Sequence, residues 1–242
     1  PISIIKAEDL IEVYYVAVKN DPELLAEEVK HKAVMQEYPI ARSYLLPNLK
    51  FSASSQRTRE SIDGSVYGRS SSTSQFTTDE YSINLKQPLY RRDLFTLLEK
   101  SGHEVAKSLA ERDAARQDLI IRVSEAYFNI LDSIDNINYV QSEKAAIKSQ
   151  LNESKKRLEV GLIAITDYAE AQASYDLSET QYIEAENLSD LTKESLYVLT
   201  GKQFENFSTL ALDIKVNQPQ PNDIKSWENF AIKQNLELLA YK

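Results

Sequence analysis

The chain has 242 residues, a formal net charge of -9, a hydrophobic fraction of 42% and no cysteine. The acidic balance argues against a general nucleic-acid binder, because neutralising phosphates requires a basic surface. The lack of cysteine excludes disulfides and thiolate metal sites and leaves the compartment open. Five glycines and seven prolines are few for this length, so the segments between them are expected to be long.

The sequence gives two further indications about membranes and export. No stretch approaches the roughly 18 consecutive apolar residues of a transmembrane helix, and no basic-then-apolar signal peptide opens the chain. Residue 1 is proline rather than methionine. We therefore expect a processed or trimmed product, which leaves export open.

Residues 1–47 predict short and medium helices. Residues 8–19 have the apolar spacing of a short amphipathic helix. Asp21 and Pro22 have the character of an N-cap and a first helical position, so a second helix is expected to run from there to about Ser43.

Between residues 48 and 90 the hydrophobic period changes from 3.6 to 2. Apolar residues alternate with polar ones in residues 49–54 and again in residues 81–89. We predict two strands of about ten residues, joined by a polar loop at about residues 60–74. An isolated hairpin is marginal in water, so this one requires further partners.

From residue 91 to residue 200 the pattern is typical of a long helical hairpin. Apolar positions recur in alternating steps of three and four, which indicates coiled-coil packing. The first helix continues to Val160, and the second runs from about Thr166 to Thr200, with Gly201 at a left-handed helix end. The tip of the hairpin is expected at residues 160–166. The predicted seam of the first helix is Leu94, Leu98, Val105, Leu109, Ile120, Val123, Tyr127, Ile130, Ile134, Ile137, Ile147, Leu151 and Leu158.

The C-terminal part predicts an extended strap at residues 201–225 and the start of a second repeat at residues 226–242. Residues 231–240 match residues 17–26 at an offset of 214, with identical residues at six of ten positions. Short amphipathic helices resemble one another, so chance similarity is the alternative explanation. The repeat predicts that the chain ends just inside a second copy of the preceding pattern.

A strand hairpin between helices imposes a requirement if it lies in a membrane. Every backbone N–H and C=O must then be paired within a closed barrel, and strands of nine to eleven residues with alternating polarity suit this structure. Two strands cannot close a barrel. The missing strands are expected from the second repeat and from other subunits.

Five segments, in this order and spacing, resemble the TolC family of outer-membrane efflux ducts over essentially the whole chain. They are ARSYLLPNL (41–49), AYFNILDSID (126–135), RLEVGLIAITD (157–167), LTGK (199–202) and QPQP (218–221). The resemblance implies a mixed fold, in which outer-membrane β-barrel strands join a long coiled-coil α-helical barrel hairpin. Residues 1–47 would then belong to the equatorial and upper α-barrel, and residues 48–90 to the transmembrane strands.

The resemblance also implies a function and partners. It predicts a passive, homotrimeric exit duct for tripartite efflux or type I secretion, in the outer membrane of a Gram-negative bacterium and extending into the periplasm. The expected partners are a periplasmic adaptor, an inner-membrane RND or ABC pump and outer-membrane lipid, with no nucleic acid. No cofactor, metal site or catalytic residue is expected.

For the hairpin tip, the resemblance implies contact with the adaptor. The expected contact residues are Arg157, Val160, Gly161, Leu162 and Thr166. Asp167 is implied to belong to a polar network that keeps the inner end closed.

Local chemistry offers a simpler interpretation of the same tip, in which Gly161 is a helix C-cap and Thr166 or Asp167 is the next N-cap. The two interpretations are compatible, because a well-capped turn is also rigid.

The alternative function is a soluble coiled-coil scaffold or periplasmic adaptor, with the Ser-rich segment as a flexible insert. An enzyme is a more distant third possibility. The sequence has no phosphate-binding glycine loop and no nucleophile elbow, and its two histidines, His31 and His103, have no partner at metal-ligand spacing.

Overall fold

The computed structural model describes residues 8–62, 72–210 and 218–241. The chain divides into two compact units, one made of Pro1–His31 with Lys107–Lys242 and the other of Lys32–Ala106. Within the described residues, no helix combines the length and apolarity required to cross a membrane.

The unit Lys32–Ala106 contains the predicted strand pair. Strands β1 (Asn48–Ile62) and β2 (Ser72–Lys86) form an antiparallel two-stranded sheet, with Leu49 opposite Leu85. Each strand has 15 residues, so both extend into the segment predicted as loop. The added residues, 60–62 and 72–74, were not predicted because they are mostly polar and give no hydrophobic alternation. The remainder of the predicted loop, residues 63–71, lies outside the described residues.

The predicted second helix is divided into two by a proline. Helix α1 spans Leu10–Asn20, α2 spans Pro22–Met35 and α3 spans Glu37–Ser43. Pro39 has no N–H for the carbonyl of Met35, four residues earlier, and its ring would collide with that carbonyl in a continuous helix. The prediction of one helix to Ser43 overlooked this effect.

Two long helices follow the sheet. Helix α4 spans Arg92–Glu159 and α5 spans Ile165–Thr200. Gly201 follows α5 in the left-handed conformation, with φ 63°, as predicted. Because an L-residue with a Cβ is strained in this conformation, glycine is the residue that ends a helix in this way.

Contacts between α4 and α5 define an antiparallel hairpin. Ser133 Oγ lies 3.2 Å from Thr192 Oγ1, and Lys144 Nζ donates a hydrogen bond to Glu179 Oε1 at 2.9 Å. In each pair, the midpoint along the chain between the two residues falls at residues 161–163. The pairing of the two antiparallel helices therefore agrees with a turn at that point.

One buried cluster forms the core of the larger unit. It is contributed by α1, the start of α2, the middle of α4, the end of α5 and Phe204. The α4 seam is partly as predicted, since Val123, Tyr127 and Ile130 are buried. Leu119 is also buried, whereas the predicted seam residue Ile120 is about half-exposed. Adjacent apolar residues at positions 119–121 leave the phase of the seam ambiguous in sequence, and packing against α1 and α5 decides it.

Two polar arrangements hold α1 and α2 against α4. The Asp21 carboxylate caps α2 by accepting from the Leu24 N–H at 2.8 Å, and it accepts from both terminal nitrogens of Arg122 at 3.1 Å. The Tyr127 hydroxyl lies 3.1 Å from the Glu8 carbonyl and 3.0 Å from the Ser208 carbonyl and donates to them. The pKa of Tyr127 is raised by burial.

Two further helices follow the predicted strap, of which residues 211–217 lie outside the described residues. Helix α6 spans Ile224–Gln234 and α7 spans Leu236–Ala240. Helix α6 begins 214 residues after α1, and α7 begins 214 residues after α2. The sequence repeat has the same offset, so the repetition extends to local structure.

Candidate functional site

The turn between α4 and α5 is closed by backbone hydrogen bonds. The Gly161 N–H donates to the Leu158 carbonyl at 2.9 Å, and the Leu162 N–H donates to the Arg157 carbonyl at 2.8 Å. These two bonds form the Schellman arrangement, with Gly161 in the left-handed region at φ 75°. The interpretation of Gly161 as a helix C-cap is therefore confirmed.

The start of α5 differs from the sequence prediction. The N-cap is Ala164, with φ -78° and ψ 157°, rather than Thr166 or Asp167. Alanine has no side-chain acceptor, and Asp167, in the first turn, instead accepts from the Ala164 N–H at 3.3 Å. The Thr166 hydroxyl donates to the same carboxylate at 3.3 Å. This is half of a capping box, displaced by two or three residues from the predicted position.

The turn presents three large apolar side chains to solvent. Val160, Leu162 and Ile165 are 70%, 74% and 67% exposed. Such a group at a rigid turn provides apolar area for a partner surface, at a low cost in backbone ordering when it binds. The Gly161 position has open space around it, with nothing within 4 Å of an added Cβ.

Arg157 forms an ion pair in the last turn of α4. Its guanidinium lies 2.6 Å from Glu153 Oε1, one helical turn earlier, and both side chains are more than half exposed. An exposed pair of this kind contributes little to stability and exchanges readily for other partners. The i, i+4 spacing of Glu153 and Arg157 was visible in sequence, but Glu153 was not identified as part of the site.

The predicted tip residues thus lie in one short segment. Val160, Gly161 and Leu162 form the turn, while Arg157 precedes it and Thr166 and Asp167 follow it in the first turn of α5. Asp167 has only local partners, Ala164 and Thr166. Its role in a gating network stays a prediction.

Behind the tip, a polar cluster links the two helices. Lys144 donates to Glu179, and its ammonium group lies 4.6 Å from the centroid of the Tyr182 ring. The hydrogen bond to Glu179 raises the pKa of Lys144, and the same bond lowers the pKa of Glu179. These contacts fix the register of α4 and α5 and thereby the position of the turn between them.

Other candidate chemistry is sparse. Among the described residues, no three His, Cys, Asp or Glu side chains come together to hold a metal ion. His31 is nearly buried, and its Nδ1 lies 2.8 Å from Ser108 Oγ. This contact gives His31 a packing role.

Comparison with known proteins identifies the family. Residues 13–202 match the family model described as outer membrane efflux protein. The chain belongs to this family. It is 33% identical to the outer membrane protein TolC of Vibrio cholerae, over 98% of the chain and 52% of that protein. It is 27% identical to the alkaline protease secretion protein AprF of Pseudomonas aeruginosa, over 96% of the chain and 49% of that protein.

Solved structures of outer-membrane channels have the same fold. The crystal structure of the Campylobacter jejuni CmeC outer membrane channel matches with a TM-score of 0.71 at 22% identity, over 86% of this chain and 45% of that one. This outer membrane efflux protein thus spans about half the length of the relatives that it matches. Family membership assigns it to the outer membrane of a Gram-negative bacterium, extending into the periplasm.

Proposed function

We propose that this chain is the first repeat of a passive exit duct in the outer membrane, which serves tripartite efflux or type I secretion. The observation that carries the proposal is the incomplete state of the strand pair. Phe51 and Ile83 face each other across the strands and are 65% and 72% exposed. A two-stranded sheet with bare apolar side chains and two free edges is not stable alone and requires further strands and an apolar solvent.

A closed barrel shared by several copies meets this requirement. Each copy contributes strands, every edge finds a neighbour, and the apolar face lies against lipid. We propose three copies, as the family resemblance implies, with α6 and α7 opening the second repeat. The division into equatorial and upper α-barrel helices, transmembrane strands, periplasmic hairpin and strap is part of the same proposal.

The tip of the hairpin is proposed as the docking site for a periplasmic adaptor. The contact residues are Arg157, Val160, Gly161, Leu162 and Thr166. The exposed apolar side chains at the turn and the exchangeable Arg157–Glu153 pair support this assignment. An inner-membrane RND or ABC pump would complete the assembly.

Asp167 is proposed to act in the gate of the duct. Its carboxylate already holds the first turn of α5 in place through Ala164 and Thr166. A second partner from another part of the assembly would compete for the same oxygens. Opening would then be a shift of the hairpins at the tip, favoured by adaptor contacts.

The proposed duct performs no chemistry and needs no cofactor, so pore width and charge determine what passes. A soluble coiled-coil scaffold is the competing function. The exposed apolar residues of β1 and β2 argue against it, because a solvated insert gains nothing from a face of this kind.

Fractionation of cells that express the full-length protein tests the proposal. We expect the protein in the outer membrane as an oligomer that resists detergent until heated, and we expect it to restore drug resistance to a strain without its own duct. A soluble helical dimer would contradict the proposal and support the scaffold.

The tip is tested by one position with two substitutions. Leu162→Ser removes apolar area from the exposed turn, whereas Leu162→Met retains it. We expect Leu162→Ser to lower the minimal inhibitory drug concentration about tenfold at unchanged oligomer abundance, and Leu162→Met to have little effect. Equal resistance in both variants would remove the tip from the docking surface.

A further inference from the structure

The strand pair has two chemically different faces. Residues directly opposite each other in an antiparallel pair share a face, and alternate residues along each strand share it too. At the end of the pair near Asn48 and Lys86, one face carries only apolar side chains and the other only polar ones. We call the first the apolar face; it consists of Leu49, Phe51, Ala53, Tyr81, Ile83 and Leu85.

Further along the same face the chemistry changes. Ser55 lies opposite Asp79, then Arg57 opposite Thr77 and Arg59 opposite Gln75. Both arginines are exposed, and neither faces a charged residue across the strands. Beyond the apolar face, the same side of the hairpin therefore carries two guanidinium groups on alternate residues of β1.

The arginines lie beyond the apolar side chains of this face. Those of β1 run from Leu49 to Ala53, and a strand that rises about 3.3 Å per residue and tilts by about 40° climbs roughly 10 Å over that distance. From Ala53 the strand climbs roughly 10 Å more to Arg57 and roughly 15 Å more to Arg59. Arginine is costly at the middle of the bilayer and nearly neutral at the interface, so a position beyond the apolar side chains suits both residues.

Charge on the two faces differs in the same region. Glu60 and Glu80 lie on the polar face, opposite Ser74 and Ser54, whereas both arginines lie on the lipid side. The only carboxylate on the lipid side of the described strands is Asp79, a diagonal neighbour of Arg57. Asp79 therefore competes with an external anion for Arg57, but not for Arg59.

We propose that Arg57 and Arg59 form a binding site for the phosphate groups of a phosphorylated glycolipid in the outer leaflet. Guanidinium groups bind phosphate through paired N–H donors, and at a lipid surface they meet head groups rather than free ions. The acyl chains of the same lipid then cover the apolar face below. The inference rests on the proposed function, because it requires the hairpin to lie in the outer membrane.

Lipopolysaccharide binding to the full-length protein tests the site. The purified oligomer is titrated in neutral detergent with lipopolysaccharide, with the same lipid after phosphatase treatment, and with inorganic phosphate as competitor. For Arg57→Gln with Arg59→Gln we expect the dissociation constant for lipopolysaccharide to rise about tenfold to thirtyfold. The wild-type oligomer should lose a similar factor on the phosphatase-treated lipid, a comparison that needs no variant.

Two controls give the expected specificity. Lys50→Gln removes a positive charge from the polar face, opposite Asn84, and should leave the dissociation constant unchanged. Asp79→Asn removes the competing carboxylate and should lower the dissociation constant by twofold or more. An equal loss in Lys50→Gln, or unchanged binding in the double arginine variant, would overturn the site.

Two other outcomes are separable. Complete displacement of the lipid by millimolar inorganic phosphate would show a site for free anions and would overturn the lipid assignment. A protein that is absent from the outer membrane fraction would refute the proposed function itself. A protein assembled there, whose binding ignores both arginines and the lipid phosphates, would refute only this inference.

Discussion

The pair α1–α2 and the pair α6–α7 have the same local geometry. Each begins with an aspartate N-cap, Asp9 or Asp223, and each breaks between its helices at a capping residue, Asp21 or Asn235, in extended conformation. Asp21 has φ -61° and ψ 118°, and Asn235 has φ -67° and ψ 115°. Both side chains accept a hydrogen bond from the N–H three residues later.

The two pairs differ in burial. Val13, Ala17 and Leu24 are buried, whereas their counterparts at an offset of 214, Trp227, Ala231 and Leu238, are not. The caps and the break are set by short-range chemistry and are therefore similar in the two pairs. Burial depends on tertiary packing: residues of α4 and α5 form a buried core with the first pair, and the residues of α6 and α7 do not belong to that core.

The largest expected difference between the two helix pairs is in the stability lost when Leu24 or its counterpart Leu238 is truncated. Leu24 is 1% exposed and Leu238 is 43% exposed. Leu24→Ala should lower the free energy of unfolding by about 3 kcal/mol, because it removes a buried side chain and leaves a cavity. Leu238→Ala should lower it by less than about 1 kcal/mol. Denaturant unfolding of both variants in the same detergent gives the comparison. Equal losses would show that a partner beyond the described residues covers the second pair.

The capping residues give the next largest effect. Asp21→Ala removes the cap of α2 and one partner of Arg122, so we expect a loss of about 2 kcal/mol. The loss stays below that of a fully isolated buried charge, because Asp118 and Glu23 still contact Arg122. Asn235→Ala removes a cap alone and should cost about 1 kcal/mol.

The variant Asp21→Asn separates these two contributions. It converts the first pair to the residue of the second, retains a capping oxygen and removes the charge next to Arg122. We expect about half of the Asp21→Ala loss, measured by the same unfolding transition. A loss as large as that of Asp21→Ala would assign the whole effect to the ion pair and none to the cap.

The sequence predicted the helix caps and turns that are determined by residues within a few positions of one another. Asp21 with Pro22, Gly161 and Gly201 were identified because caps and left-handed positions have local signals. The break at Pro39 has such a signal as well and was overlooked.

Features that depend on distant packing were predicted only in part. The choice of Leu119 over Ile120 for the core is made by α1 and α5, which lie far away in sequence. The full length of β1 and β2 is set by cross-strand pairing between residues that are mostly polar, such as Glu60 opposite Ser74. At the tip, Ala164 caps α5 only through Asp167, so its own side chain gave no indication.

Tyr127 connects the first pair to the strap and should have a moderate effect. Tyr127→Phe removes a hydroxyl that donates to the Glu8 and Ser208 carbonyls, and should cost about 1 kcal/mol. Burial raises the pKa of Tyr127 above its ordinary value of 10.0, so the folded state holds this proton more tightly than the unfolded state. Stability is therefore full below about pH 10 and falls as the pH rises further. The alkaline loss should be smaller in Tyr127→Phe, and an identical pH profile in both proteins would contradict the assignment.

The smallest expected effect distinguishes the two N-caps. In the first pair the carboxylate of Glu12 reaches back to the Asp9 N–H, whereas in the second the Ser226 hydroxyl and N–H both donate to Asp223. These bonds, with the Ser226 hydroxyl first, lower the pKa of Asp223 below its ordinary value of 3.8. The cap of α6 is thus intact above the ordinary pKa and is lost as the pH falls through the lowered one.

An NMR titration of the Asp223 carboxyl should show this shift, and Ser226→Ala should move the pKa back toward 3.8. A pKa that Ser226→Ala leaves unchanged would mean that the backbone donors alone hold the cap, and the two pairs would then differ in burial but not in the strength of their caps.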